Sequence, residues 1–315
     1  MNINLKKLLK IEIINELLSI KDMIRWSASC FSISNIWYGH GPNNPLDESI
    51  QLILPILGLP PYTLNNIWDA KLTLQERKLI FRLVFKRIKN RIPIVYLTNK
   101  TWFCGHELYI DRRVLIPRSP ISELINNKFK FNGLKLKFTP KNILDLCTGS
   151  GCIAIACAYL FPNSYIDAID ISLDAINVTE SNIELHGLEK RITPIHSNLF
   201  EKLHTSHSYD LIISNPPYVD KNELNYLPKE YSYEPQIGLI AEDNGLDIIN
   251  KIIINSFFYL KKNGFLICEV GDKMKYIIKK YSFINFQWLK IKNGGIGIFK
   301  IDRNIIEKIR IMQKR

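Results

Sequence analysis

The chain has 315 residues, of which 46% are hydrophobic and 23% charged, and it carries a formal net charge of +12 at pH 7. This composition is typical of a globular protein with enough residues for two domains, and it excludes disorder on a large scale. No stretch reaches the roughly 18 uncharged apolar residues of a membrane span, and Glu12 and Glu16 interrupt the apolar N-terminal run, which argues against a signal peptide. We expect a soluble cytoplasmic protein without a membrane partner.

The basic charge is concentrated in the first third of the chain. Residues 1–100 contain 14 Lys and Arg against 7 Asp and Glu, a net +7, whereas the other 215 residues contain 28 against 23, a net +5. Clustered Lys and Arg attract phosphate backbones, so an RNA or ribonucleoprotein partner is one explanation. The abundance of Lys, Ile and Asn throughout is equally consistent with compositional drift. Both explanations stay open at this point.

Up to residue 98 the hydrophobic pattern is helical. The stretches KDMIRWSASCFS, LDESIQLILPIL and LTLQERKLIFRLVFKRIKNR repeat apolar residues at intervals of three and four, and Gly, Pro and Asn separate them. We therefore predict a small helical domain over residues 1–98. The alternating segment WFCGHELYIDRRVLIPR then predicts a β-hairpin linker over residues 99–120.

The remaining residues, 121–315, predict an α/β domain. Apolar strands alternate with helical segments in the order NILDLC, SYIDAID, ITPIHS, YDLIIS and GFLICEV, which is the pattern of a doubly wound, mostly parallel sheet. A helix is expected near residues 245–262. Near the C-terminus, FQWLKI and GIGIFKI flank NGG, which predicts an antiparallel hairpin at the edge of the sheet.

Six cysteines occur at positions 30, 104, 147, 152, 157 and 268. Their spacing fits neither paired zinc ligands nor a dense disulfide framework. We expect reduced thiols and no metal site.

A glycine-rich turn follows the first strand of this domain, in DLCTGSGCIA at residues 145–154. Gly149 and Gly151 allow the backbone to turn tightly and to approach a ligand at a helix N-terminus. Asp170 ends the next strand, where a carboxylate can reach a ribose. The pattern predicts a nucleotide-like cofactor, but because it also satisfies G-x-G-x-x-A it does not separate NAD from S-adenosylmethionine.

The fourth strand ends in NPPY, residues 215–218. In an open α/β sheet the ligand crevice lies beyond the carboxyl ends of the strands, so Asn215 is expected to face the same ligand as Gly149. The prolines Pro216 and Pro217 fix φ and remove two N–H donors. The Asn215 oxygen and the Pro216 carbonyl can then accept both hydrogens of a planar –NH2 group, with Tyr218 against its face.

The order DLCTGSG, Asp170, NPPYV resembles the class I S-adenosylmethionine-dependent methyltransferases that modify glutamine side chains or exocyclic amines of bases. Nearly the entire chain resembles the protein-glutamine methyltransferase branch that acts on the third protein of the large ribosomal subunit, L-three. This likeness rests on the segments NIWYGHGPNNPLDE, YLTNKTWFCGHELYIDRRVLIPRSPISELINNKF and LDLCTGSGCIAIACAY. The sister branch, which modifies peptide-chain release factors, has a shorter insertion after IPR.

The resemblance implies S-adenosyl-L-methionine as the cofactor and a set of site residues. Asp170 is implied on the ribose hydroxyls, Asn198 near the adenine amine, and Asn215 beside both cofactor and substrate. Cys147 replaces the usual first glycine of the loop, and Asn198 replaces the usual acid, so somewhat weaker cofactor binding is expected. The implied cofactor residues are Asp145, Cys147, Thr148, Gly149, Gly151, Asp170, Asn198 and Asn215, and the implied catalytic residues are Asn215, Pro216, Pro217 and Tyr218.

The implied reaction is methyl transfer to a glutamine amide nitrogen of L-three, either free or in an assembling large subunit, where L-three binds ribosomal RNA. Methylation of release factors and amine methylation of a nucleic-acid base are the alternatives. Residues 221–243 are too short to form a separate base-recognition region, which argues against the nucleic-acid alternative. The helical domain lacks a cofactor motif but is basic, so we assign it to substrate docking.

Overall fold

The computed structural model describes residue 5 and residues 9–41, 43–130, 138–204, 206–292 and 296–313. These residues form two compact units. The first unit comprises Met1–Lys100 together with the short segment Pro228–Tyr233, and the second comprises Thr101–Leu227 and Glu234–Arg315. The chain therefore leaves the second unit soon after the NPPY motif, contributes six residues to the first unit and returns. The domain boundaries expected from the sequence do not include such an excursion.

The first unit is helical, as the periodicity predicts. Two of its helices begin with a capping box, in which a side-chain hydroxyl and an acid three residues later satisfy each other's backbone N–H groups: Ser19 with Asp22, and Thr73 with Glu76. The core between the helices includes the buried side chains of Trp26, Phe31 and Leu52. The helices are α1 (Ile13–Glu16), α2 (Ile20–Ser32), α3 (Pro45–Ile56), α4 (Leu74–Asn90) and α5 (Ile94–Thr98).

A buried ion cluster connects the segment Pro228–Tyr233 to these helices. Glu230 is fully buried and accepts hydrogen bonds from Arg87 Nη1 at 3.0 Å, Arg91 Nε at 2.6 Å and the backbone N of Trp37 at 2.8 Å. Arg87, itself 1% exposed, also donates from Nε to Glu48 at 2.6 Å. Two arginines and two glutamates thus neutralise one another in the interior of the unit.

The second unit begins with the hairpin that the sequence predicts. Strand β1 (Lys100–Phe103) pairs with β2 (His106–Tyr109) in a two-stranded sheet. The other strands are β3 (Asn142–Leu146), β4 (Tyr165–Asp170), β5 (Ile192–His196), β6 (Tyr209–Ser214), β7 (Val219–Asp220), β8 (Ile240–Ala241), β9 (Leu260–Glu269), β10 (Gln287–Leu289) and β11 (Ile298–Asp302). The helices are α6 (Ile121–Asn126), α7 (Cys152–Leu160), α8 (Leu173–Leu185), α9 (Asp247–Tyr259), α10 (Met274–Lys280) and α11 (Arg303–Gln313).

Seven of the described strands form one sheet in the order β10-β11-β9-β6-β3-β4-β5. The five strands from β9 to β5 run parallel, whereas β11 pairs antiparallel with both β9 and β10. This confirms a doubly wound, mostly parallel sheet with an antiparallel pair at its edge. The NGG turn predicted for that pair falls at residues 293–295, outside the described ones.

The sheet has a topological switch point between β3 and β6. The chain proceeds from β3 through β4 to β5 on one side, and then continues with β6 and β9 on the other side of β3. Connections from the two strands leave in opposite directions, which opens a crevice at their carboxyl ends. The glycine loop follows β3 and the NPPY motif follows β6, so both lie at this crevice.

The helices over the described part of the chain are all too short, or too polar, to cross a lipid bilayer.

Candidate functional site

A cleft lies at the switch point of the second unit. Four strand ends contribute to it: the glycine loop after β3, the tips of β4 and β5, and the NPPY motif after β6. The segment after the hairpin, including Arg118 and Ser119, also lines it. Of the residues expected from the sequence, the cleft lining includes Cys147, Thr148, Gly149, Asp170, Asn198, Asn215 and Pro217.

The glycine loop adopts left-handed backbone conformations that its residue types explain in part. Gly149 has φ +60° and Gly151 has φ +79°, values that glycine adopts without steric cost. A Cβ added to Gly149 would meet no atom within 4 Å, so open space adjoins the loop at this point. A Cβ added to Gly151 would lie 3.0 Å from the Thr179 side chain, so this glycine allows close packing between loop and helix α8.

Cys147 also has a positive φ, +59°, although it is not glycine. A left-handed conformation costs an ordinary L-residue roughly 1 to 2 kcal/mol. Cys147, which stands where the family pattern has glycine, therefore has a strained backbone conformation. Burial raises the pKa of its thiol, so the side chain stays protonated and lines the cleft as a neutral group.

Asp145 supports the loop from beneath and does not line the cleft. Its Oδ2 accepts from Thr148 Oγ1 at 2.6 Å and from the backbone N of Ala154 at 3.1 Å, so one oxygen holds both the loop and the start of helix α7. Burial raises the pKa of Asp145 to about 7. Its Oδ1 is buried and has no hydrogen-bond partner among the described residues.

Asp170 lies at the tip of β4, adjacent to the loop. Its Oδ2 accepts from Gly149 N and its Oδ1 from Ser172 N, both at 2.9 Å. Burial raises its pKa, and these backbone donors oppose that shift. A carboxylate oxygen has two lone pairs, so both oxygens keep accepting capacity for hydroxyl groups in the cleft.

Asn198 lies beyond the tip of β5 and is exposed in the cleft wall. Its Nδ2 donates to Glu201 Oε1 at 2.7 Å. With the amide nitrogen held in this way, the amide oxygen is the atom left to accept a hydrogen bond from a ligand.

Asn215 follows β6 and is hydrogen-bonded to a buried glutamate that the sequence analysis did not single out. In the orientation that satisfies its amide, Nδ2 lies 3.3 Å from both Oε1 and Oε2 of Glu269, the last residue of β9. Glu269 is 4% exposed and also accepts from Ser119 Oγ at 2.5 Å. Burial raises the pKa of Glu269, and the donors around it act in the opposite direction. The sequence offered one signal for Glu269: a charged residue ends the apolar strand in GFLICEV, just as Asp170 ends its own strand.

Tyr218 is packed against the backbone and does not line the cleft. Its hydroxyl donates to Glu269 Oε1 at 3.0 Å. A Cβ added to Gly271 would lie 2.6 Å from the Tyr218 ring, and one added to Gly245 would lie 2.1 Å from the Tyr218 carbonyl oxygen. Two glycines thus let neighbouring backbone approach the aromatic residue closely. The placement of this ring against a substrate amide stays a prediction.

Pro216 is buried next to Asn215 and, like Asp145, Gly151 and Tyr218, is outside the cleft lining. The described part of the chain holds no cluster of three or more His, Cys, Asp or Glu residues arranged to bind a metal. All six cysteines are free thiols.

Comparison with known proteins finds a described domain family that matches part of the chain. Residues 124–228 match the family model of the methyltransferase small domain. This segment contains the glycine loop, Asp170, Asn198 and the NPPY motif.

Two relatives match almost the entire chain. The ribosomal protein uL3 glutamine methyltransferase of Francisella tularensis is 41% identical over 301 residues, which cover 95% of each chain. The enzyme of the same name from Neisseria gonorrhoeae is 40% identical over 288 residues, covering 91% of this chain and 95% of that protein. Among solved structures, the ribosomal protein L11 methylase of Lactobacillus delbrueckii subsp. bulgaricus is 20% identical, covers 57% of this chain and 78% of that one, and aligns with a TM-score of 0.41.

Proposed function

The chain belongs to the family of ribosomal protein uL3 glutamine methyltransferases, and we propose that it transfers a methyl group from S-adenosylmethionine to a glutamine side-chain nitrogen of uL3. The name uL3 denotes the third protein of the large ribosomal subunit, called L-three above. The proposal rests on one observation: Asn215 lines the same cleft as Gly149 and Asp170. An amide acceptor and a nucleotide-type site then share one crevice.

The side chains of the cleft suit the proposed cofactor. Asp170 offers carboxylate oxygens for ribose hydroxyls, the Asn198 oxygen can accept from an exocyclic amine, and open space adjoins Gly149. S-adenosylmethionine supplies a methyl group that is already activated by its sulfonium. The chain therefore has to bind and align the two reactants.

The acceptor nitrogen is the difficult reactant. The lone pair of an amide nitrogen is conjugated with the carbonyl, the resonance that gives a peptide bond a rotation barrier of about 18 to 20 kcal/mol. The side-chain oxygen of Asn215 and the carbonyl oxygen of Pro216 would accept one hydrogen bond from each N–H, orient the –NH2 group and stabilise the nitrogen as it loses planarity. The nitrogen would gain the methyl group as the methyl–sulfur bond breaks, and it would release one proton to water. We assign most of the acceleration to this alignment, which can supply roughly 7 to 11 kcal/mol when both reactants are held in attack geometry.

We further propose that the first unit docks the substrate. A cavity of about 620 Å³ in this unit is lined by Lys21, Arg25 and Trp68 among others. The Trp68 Nε1 is buried and has no hydrogen-bond partner within the described residues. The positive charges of Lys21 and Arg25 at this cavity support binding of a macromolecular segment with exposed acceptors.

Purified enzyme and tritiated S-adenosylmethionine, incubated in parallel with purified uL3, with ribosomal RNA and with a release factor, test the proposal directly. Label that resists nuclease and is released by protease supports protein methylation. Label in RNA or in a release factor, with none in uL3, would contradict it.

A further inference from the structure

The acceptor asparagine has a buried carboxylate beside it. Strands β6 and β9 run parallel, and their register pairs Ser214 with Cys268, so the next residues, Asn215 and Glu269, lie side by side at the carboxyl ends. Glu269 is 4% exposed, whereas Asn215 reaches the cleft. The glutamate thus lies behind the acceptor and out of contact with solvent.

The Glu269 carboxylate accepts hydrogen bonds from two hydroxyl groups and lies beside the Asn215 amide. Ser119 Oγ and Tyr218 OH lie 2.5 and 3.0 Å from its carboxyl oxygens, and one terminal atom of the Asn215 amide lies 3.3 Å from both oxygens. An ionised carboxylate can only accept, so it holds the Asn215 amide with nitrogen towards Glu269 and oxygen in the opposite direction. The orientation of this amide is otherwise undetermined, because rotation by 180° exchanges O and N within nearly the same shape.

We infer that Glu269 is a positioning residue which makes Asn215 an acceptor, and hence sets the selectivity of the site for an –NH2 group. The inference rests on the proposed function and deepens it. With the amide reversed, Asn215 would present its own N–H bonds to the substrate –NH2 group, and two donors would face each other. The carboxylate removes that orientation because it cannot donate.

A role in packing alone makes a different prediction from a role in orientation. Glu269→Gln keeps the volume but adds an amide donor that can bond to the Asn215 oxygen and reverse the amide. Glu269→Asp keeps the acceptor-only carboxylate but leaves a void. If Glu269 orients Asn215, the Glu269→Asp enzyme should retain more turnover than the Glu269→Gln enzyme. If Glu269 serves packing alone, the order should be reversed.

The kinetic experiment uses the full-length enzyme with S-adenosylmethionine and uL3. For Glu269→Gln we expect kcat to fall on the order of 10²-fold, comparable with the loss of one oriented transition-state hydrogen bond. The Kd for S-adenosylmethionine and the KM for uL3 should change less than about threefold. Glu123→Gln is the matched control, because Glu123 is also buried and accepts from the backbone N of Lys292 but does not line the cleft. A Gln variant within about threefold of wild-type kcat, or one that is more active than the Asp variant, would overturn the inference.

A second measurement does not depend on uL3. In protein with 15N-labelled asparagine and bound S-adenosylmethionine, the side-chain amide resonance of Asn215 should move in Glu269→Gln and stay in place in Glu123→Gln. An Asn215 resonance that is unchanged by Glu269→Gln would overturn the positioning role. Should the wild-type enzyme leave uL3 unmodified, the proposed substrate fails, and an unchanged Asn215 resonance in Glu269→Gln would still overturn the positioning role.

Discussion

Gly149 and Asp170 are joined by a hydrogen bond of 2.9 Å, in which the loop N–H donates to Asp170 Oδ2. The bond fixes the glycine loop to the tip of the neighbouring strand. Asn215, at the tip of β6, lines the same cleft without contacting this pair in any hydrogen bond of the described residues. The arrangement separates the proposed cofactor side of the cleft from the proposed acceptor side.

Substitutions on the two sides should therefore have different effects. Asp170→Ala removes a carboxylate of the proposed ribose site and should weaken S-adenosylmethionine binding about 10- to 100-fold, as expected for hydrogen bonds to a charged group worth about 1.5 to 3 kcal/mol. Asn215→Ala should leave this affinity within about threefold and abolish transfer. Titration calorimetry and a tritium-transfer assay measure the two quantities.

Failure of Asn215→Ala to bind S-adenosylmethionine would contradict this division of roles. So would an Asp170→Ala protein with wild-type affinity.

Asp145 gives the second prediction, which concerns stability and pH. Burial raises its pKa to about 7 in the folded protein, against 3.8 for the unperturbed group. Between these values the folded state holds a proton that the unfolded state has lost, so the contribution of this group to stability is present below about pH 4 and is lost as the pH rises to about 7. Asp145→Asn keeps an acceptor for Thr148 and Ala154 but cannot ionise.

The Asn variant should therefore gain stability relative to the wild type as the pH rises. Thermal unfolding of the cofactor-free proteins at pH 5 and pH 8 measures this difference. An equal Tm difference at both pH values would show that ionisation of Asp145 does not couple to folding.

The mostly parallel sheet and the glycine loop were predictable because parallel strands and tight turns impose simple patterns. The apolar runs that end at Leu146, Asp170 and Ser214 indicate strands, and the carboxyl ends of these strands converge at the switch point of the sheet. Glu269 escaped notice because its importance depends on the register between β6 and β9, which pairs residues 54 positions apart in the chain. Periodicity within one segment carries no information about that register.

The membership of Glu230 in the helical unit was also beyond sequence reasoning. Glu230 lies in a segment of mixed polar and aromatic residues, where a glutamate is usually solvated. Its partners lie about 140 residues earlier: Arg87 is in the last turn of helix α4, and Arg91 is the residue that follows the helix. Long-range pairing of charges leaves no local pattern.

Glu230 supplies the third prediction. Although burial opposes its charge, hydrogen bonds from Arg91, Trp37 and Arg87 lower its pKa to about 2. Glu230→Ala would leave Arg87 with Glu48 as its remaining carboxylate partner among the described residues, and removing one member of a buried ion pair costs about 3 to 5 kcal/mol. We expect a loss of this size in the free energy of unfolding of the first unit, measured by tryptophan fluorescence in urea.

Glu12→Ala, at an exposed position of the same unit, is the control and should change this free energy by less than about 0.5 kcal/mol. Equal effects of the two substitutions would show that the buried cluster contributes no more than a surface side chain.

The fourth prediction concerns the form of the substrate. The resemblance implies a basic, RNA-binding substrate, from which a chain of net charge +12 gains no electrostatic attraction unless RNA is present. If the charge serves docking, methylation should be faster on RNA-bound uL3 and should fall steeply with salt, because phosphate contacts release counterions. Equal rates on free uL3, with little dependence on salt, would assign the charge to compositional drift.

The cavity of the first unit that is lined by Lys21 and Arg25 is the proposed source of this salt dependence. Lys21→Glu combined with Arg25→Glu should reduce the rate on RNA-bound uL3 and flatten its salt dependence, while the affinity for S-adenosylmethionine stays the same, because both residues line the cavity of the first unit. Unchanged kinetics would remove the docking role from this surface.

The central claim is that uL3 receives one methyl group on a glutamine side-chain nitrogen. Intact-mass and peptide mass spectrometry of uL3 from cells with and without this enzyme tests it most directly. We predict a difference of about 14 Da, one methyl replacing one hydrogen on an –NH2 group held by Asn215 and Pro216, located on a single glutamine. Identical masses in the two strains, or a methyl group found instead on RNA or on a release factor, would contradict the account.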